Sequence, residues 1–154
     1  MIQPRIFQAL RYIILAGGAL FLVLLLRGSG WHRQSPSIWV GDRAISVTIA
    51  DTDYLRELGL SGTKNLEKNT GKLFIFDHPG LYSFWMKDMQ YPLDIVWIDQ
   101  SGIVVGITPH IAPETYPKSF LPPSPVLYVL EINSDEAQSD GLVVGAKIQL
   151  PKSF

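Results

Sequence analysis

Cysteine is absent from the 154 residues. That excludes a disulfide framework, a Cys-ligated zinc, a thiol nucleophile and a cysteine-linked lipid anchor. Histidine is scarce. His32, His78 and His110 form no HxxxH or HExxH spacing, so the pattern of a zinc hydrolase is missing. There is no GxGxxG or Walker loop, and no serine stands in a G-x-S-x-G context. No metal, cofactor or catalytic residue is therefore expected. A basic stripe is lacking as well. Residues 34–154 carry nine Lys or Arg against 14 Asp or Glu, a net charge of −5, which argues against a nucleic-acid partner. Neither an internal repeat nor a low-complexity tract is present. A mass of 17.2 kDa leaves room for one folded domain.

What is there begins with a charge asymmetry. Residues 1–33 hold four Arg and no acid. Within them, Tyr12 to Leu26 carries no charge. Fifteen helical residues reach only about 22 Å, but a run starting at Ile6 reaches about 31 Å, with Arg11 able to snorkel. Residues 1–27 are thus expected to form one uncleaved transmembrane helix, with 28–37 as a linker and 38–154 as the soluble domain. Arg5 and Arg11 on one side balance Arg27 and Arg33 on the other. Orientation then rests on the first-segment tendency to keep the N-terminus inside, which puts the domain on the extracytoplasmic side of the plasma membrane. A cleaved signal followed by secretion is the first alternative, because Gly28-Ser29-Gly30 offers small residues. A domain held on the cytoplasmic side is the second.

The domain reads as many short strands. Ile38–Val40 and Ala44–Ala50 flank Gly41-Asp42 as a hairpin. Asp51 or Thr52 caps a short helix through Leu58, stopped by Gly59. A second short helix is expected over Lys64–Lys68. Further strands are expected over Lys72–Phe76, Tyr82–Lys87, Leu93–Ile98, Ile103–Thr108, Val126–Ile132 and Ala146–Leu150. Asp77-His78-Pro79-Gly80 reads as a turn and Asn133–Gly141 as a turn or short helix. The loop Pro109–Pro125 holds six of the 11 prolines, so it cannot be a central strand. Loops of that length are usually functional. The expected fold is mainly β (β-rich α+β), a single small barrel- or sandwich-like domain. It has about eight short strands and two or three short helices.

Three charges sit on apolar strand faces. Residues i and i+2 share a face. Asp94 therefore lies with Val96 and Ile98, Glu131 with Leu127 and Val129, and Lys87 with Trp85. An unpaired charge there is costly. If Tyr82–Lys87 and Leu93–Ile98 form a hairpin, a Lys87–Asp94 pair satisfies both. That reading makes Arg56, Lys87 and Asp94 a structural polar network. The other reading is a ligand pocket lined by Trp85, Lys87, Asp94 and Glu131, with Pro109–Pro125 as rim or lid. Met86 and Met89 read as core filler rather than as a copper site.

The stretch Phe84-Trp85-Met86-Lys87, with Pro92-Leu93-Asp94-Ile95 and the later Leu130-Glu131, resembles the central motifs of the domain of unknown function 192 family. This is a group of small, often signal- or membrane-anchored prokaryotic proteins. Arg56, Gly59-Leu60, Leu73-Phe74 and Phe76 match its earlier motifs. Ser61 and Lys72 stand where the family often has Met. The resemblance runs from about Ile45 to Leu150. It implies a mostly β single domain and imports no activity. The expected function is non-enzymatic binding of a small polar, saccharide-like ligand or an envelope protein by a membrane-anchored domain. An envelope hydrolase using Asp94 and Glu131 as acid and base is the first alternative. A structural or assembly protein without a ligand is the second.

Overall fold

The computed structural model describes residues 35–151; the helix expected over 1–27 and most of the 28–37 linker lie outside them. Among the described residues no helix is long and apolar enough to cross a membrane. The chain runs β1 (Ser37–Val40), β2 (Arg43–Ala50), α1 (Asp53–Leu58), β3 (Thr70–Gly80), β4 (Phe84–Trp85), β5 (Leu93–Ile98) and β6 (Val104–Ile111). A 3₁₀ turn (Pro113–Thr115) follows, then β7 (Ser119–Phe120), β8 (Val126–Asn133), α2 (Glu136–Ser139) and β9 (Ile148–Gln149).

Seven strands form one sheet in the order β6-β5-β8-β3-β2-β1-β9. It curls into a half-barrel. At one end its two edges meet, where Ile103 bridges Lys147 and the Ile148 N–H donates to the Gly102 carbonyl at 2.8 Å. Among the described strands only β2 and β3 pair in parallel. A parallel pair needs a crossover, and residues 51–69 supply it. Leu55 and Leu66 pack, with the buried Leu60, against the outer face of the sheet, so the crossover covers that face. The small sheet β4–β7 covers more of it through Phe84 and Phe120.

Two apolar clusters result, one on each face. Ile38, Ile45, Val47, Leu73, Val96, Ile98, Leu130 and Ile132 fill the inner face. Phe74, Phe84, Met86, Leu93, Ile95, Trp97 and Val129 fill the outer one. β5 lies between them, and all six of its residues are buried. Its sequence, LDIVWI, is the near-continuous apolar run of a strand covered on both sides.

Most expected elements are present. α1 begins where Thr52 Oγ1 accepts from the Leu55 N–H at 3.3 Å, and it ends at Gly59, whose φ of 52° suits a residue without a Cβ. Three expectations fail. Lys64–Lys68 is not a helix, because Leu66 is drawn down onto the sheet and interrupts the turn. Asp77–Gly80 is not a separate turn but the irregular end of β3, with Gly80 opposite Val126. Tyr82–Lys87 does not pair with Leu93–Ile98. Only Phe84–Trp85 is strand, and it pairs with Ser119–Phe120 from within the proline-rich loop. The central sheet has already given both edges of β5 to β6 and β8.

Candidate functional site

β8 lies mid-sheet, and its alternation sends Leu130 and Ile132 inward and Val129 and Glu131 outward. Glu131 stands opposite Lys72 on β3 and Ile95 on β5. The crossover and β4 close over that spot but leave a cavity of about 280 Å³. Its floor is Glu131. Its walls are α1 and the residues after it, together with Phe74, Phe76, Tyr82, Phe84, Trp85 and Met89.

The aromatic wall is closely packed. Phe76 and Tyr82 stack at 3.5 Å with planes 7° apart. Phe84 meets Phe74 edge-on at 4.9 Å and Trp97 at 5.5 Å. Tyr82 folds back far enough for its hydroxyl to donate to the His78 carbonyl at 2.6 Å. A Cβ at Gly80 would stand 2.9 Å from the Tyr82 ring, so the stack requires glycine there. Arg56 lies over the Phe76 ring at 5.4 Å. Its donors are engaged by the Asp51 and Ile75 carbonyls and by Asp53, with Asp77 at 3.8 Å. Arg56 therefore builds the wall, with its charge paired to Asp53 and its Nη1 donors held by two backbone carbonyls. Trp85 is 47 % exposed and stands at the mouth.

Glu131 is 5 % exposed, and its Oε2 is buried with no hydrogen-bond partner. Burial pushes its pKa up to about 8, and nearby Lys72 offsets part of that rise. Burial also pushes Lys72 below its ordinary value, against the pull of Glu131. The Lys72 ammonium donates to the Gly59 carbonyl at 2.8 Å and so ties the end of α1 to β3. Tyr91, whose hydroxyl pairs with Thr63 Oγ1 at 2.6 Å, is raised mainly by burial and further by Glu131. A buried, unpartnered carboxyl oxygen is expensive unless something donates to it.

Asp94 is on the other face. It is 1 % exposed and accepts from two backbone N–H groups, His110 at 2.9 Å and Ala137 at 3.1 Å. The first lies where β6 bulges, between Thr108 and Ile111, with His110 at φ 52°. The second is in the first turn of α2, whose own Asp135 makes no side-chain cap. Asp94 thus holds a bulge and caps a helix from a neighbouring strand.

Of the four residues expected to line one pocket, Trp85 and Glu131 come together. Asp94 and Lys87 do not join them. Lys87 is exposed, and its backbone carbonyl accepts from Ser61 Oγ at 2.9 Å. The Lys87–Asp94 pair does not form, because the hairpin it needed is absent. Arg56 makes its own network with Asp53 and Asp77 and shares no partner with Asp94 or Lys87. The acid–base pairing of Asp94 with Glu131 fails on geometry, since the sheet lies between their side chains. No residue of Pro109–Pro125 lines the cavity; the loop supports it indirectly through the β4–β7 pair. The sequence reading missed Phe74, Phe76, Tyr82 and Lys72, although Lys72, Phe74 and Phe76 alternate on one expected strand face.

A mainly β half-barrel with a carboxyl-floored, aromatic-walled cavity defines the class of domain. Residues 37–150 match the DUF192 family, described as an uncharacterised ACR, and the chain belongs to it. A crystal structure of a protein of unknown function from Novosphingobium aromaticivorans is similar, with a TM-score of 0.69 and 26 % identity over 74 % of this chain and 83 % of that one. A putative transcription regulator from Sinorhizobium meliloti has a TM-score of 0.69 and 24 % identity, covering 75 % and 91 %; that likeness shows the fold alone. No curated protein matches the chain.

Proposed function

We propose that this chain is a membrane-anchored, extracytoplasmic domain that binds a small polar, saccharide-like ligand in the Glu131 cavity and does not transform it. The observation that carries the reading is the buried, unpartnered Oε2 of Glu131 at the floor of a cavity. A ligand hydroxyl donating to that oxygen removes its cost. The half-exposed Trp85 and the Tyr82–Phe76 stack offer faces on which the apolar side of a sugar ring can lie. Asp94 lies on the far face, and the other carboxyl lining the cavity, Glu57 of α1, is solvent-exposed on the wall rather than set beside the floor, so binding is favoured over hydrolysis. The anchor rests on the uncharged Tyr12–Leu26 run.

Thermal unfolding of the full-length protein against a panel of mono- and disaccharides tests the reading. A ligand at 100 times its Kd adds about 2.7 kcal/mol and lifts the midpoint by several degrees. The lift should vanish in Glu131→Gln and in Trp85→Ala. No lift across the panel, or a lift that both variants retain, sinks the proposal. Alkaline extraction of membranes and protease treatment of intact cells test the anchor and its orientation. Release by alkali or protection from protease would remove that part.

A further inference from the structure

The cavity's charged groups are unevenly placed. Among the described residues that line it, three are charged: Arg56, Glu57 and Glu131. The guanidinium of Arg56 is held by two backbone carbonyls and by Asp53, and it lies on the Phe76 ring. Lys72 faces Glu131 across the strands, but it does not line the cavity, and its ammonium is held by the Gly59 carbonyl. Tyr91, from the segment before β5, is paired with Thr63. The groups left without a partner on the cavity side are therefore acidic, with Glu131 at the floor and the exposed Glu57 on the wall. Between them stand aromatic faces, which attract cations through their quadrupoles. Residues 34–154 as a whole carry −5.

We infer that the occupant of this cavity carries an ammonium group, set on Glu131 Oε2, with its carbon skeleton against the Trp85 and Tyr82 faces. The inference rests on the binding reading above and narrows its ligand to a cationic amine such as an amino sugar. It also fixes a proton balance. Burial keeps the empty site's carboxyl protonated until about pH 8. An arriving ammonium keeps its own proton and favours the carboxylate, so Glu131 loses one proton to solvent for each ligand bound.

Calorimetric titration of the full-length protein with glucosamine, glucose, choline and cyclohexylamine tests this. The titrations are run at a pH of about 6, where these amines carry their charge. Each is done in two buffers of different ionisation enthalpy. The expected result is at least tenfold tighter binding of glucosamine than of glucose, with close to one proton released. Glu131→Gln should lose both the preference and the proton release. Its midpoint, at or above that of the unmodified protein, shows that it is folded. Glucose binding as tightly as glucosamine, or ammonium binding without proton release, overturns the inference and leaves the binding reading standing. Failure of all three ammonium probes also overturns it. The broader reading then survives only if a neutral saccharide raises the unfolding midpoint and Glu131→Gln abolishes that rise.

Discussion

Asp94 and Glu131 stand on adjacent strands, one register position apart, and both are buried, yet their surroundings are opposite. Asp94 faces the inner cluster and accepts from two backbone N–H groups. Glu131 faces the outer layer, where one oxygen has no donor and a cavity lies above it. Burial alone does not distinguish a structural carboxyl from one that awaits a ligand. The supply of donors does. Where the chain itself provides them, the charge is stabilised and the group fastens the fold. Where it does not, the group is held close to neutrality and is available to something else.

The strongest way to break this contrast is to remove the Asp94 carboxyl. Asp94→Ala leaves the buried Ala137 N–H and the partly buried His110 N–H unpaired, and each costs about 2 kcal/mol. The expected loss is about 4 kcal/mol, or roughly 10 °C or more in the midpoint, read by circular dichroism. Asp94→Asn keeps one acceptor and should lose about half as much. Ligand affinity in the Glu131 cavity should stay within about twofold for whatever fraction remains folded. A loss under about 1 kcal/mol would mean that Asp94 does not hold the β6 bulge and α2.

Next comes the pH dependence of Glu131. Its folded pKa, about 8, lies above its ordinary value of 4.5, so the folded state binds the extra proton. The stability it contributes is full below about pH 4.5 and is lost as pH rises through about 8. Relative to Glu131→Gln, the unmodified protein should therefore lose about 3 kcal/mol between pH 4.5 and 7. Denaturant unfolding of both proteins along that range reads the difference. A flat difference would place Glu131 among the satisfied carboxyls, beside Asp94.

A smaller effect probes the outer layer alone. Thr52 caps α1 through an exposed 3.3 Å bond. Thr52→Ala should cost about 1 kcal/mol. Because α1 walls the cavity and not the Asp94 side, ligand affinity should fall several-fold. Hydrogen exchange should rise in α1 and remain unchanged in α2. Equal acceleration in both helices would show that the two faces are not independent.

Much of this was legible in the sequence, for a physical reason. Alternation placed Asp94 with Val96 and Ile98, and Glu131 with Val129, and those assignments hold because a strand's period leaves no choice of face. The Thr52 cap and Gly59 stop are local, so they too could be read. What alternation cannot supply is which strands become neighbours. Tyr82–Lys87 looks like a hairpin partner for Leu93–Ile98, but β5 is already paired on both edges. The non-local β8 sets the two carboxyls on opposite faces of one sheet. Tyr82 joins the aromatic wall because the chain folds back just after β3 ends at Gly80, and no strand period encodes that return.

Lys87 gives the smallest effect and tests that lesson. From sequence it is the natural counter-ion of Asp94. In the fold its side chain is exposed, and Ser61 holds only its backbone carbonyl. Lys87→Met keeps that bond and removes the charge. Exposed positions away from such networks change stability by less than about 0.5 kcal/mol. The variant should therefore unfold within experimental error of the unmodified protein. A double substitution with Asp94→Asn should be additive, since neither side chain touches the other. A coupling energy above about 0.5 kcal/mol would restore the Lys87–Asp94 pair. It would also remove the donor-supply argument for Asp94, whose partners would then include a charge.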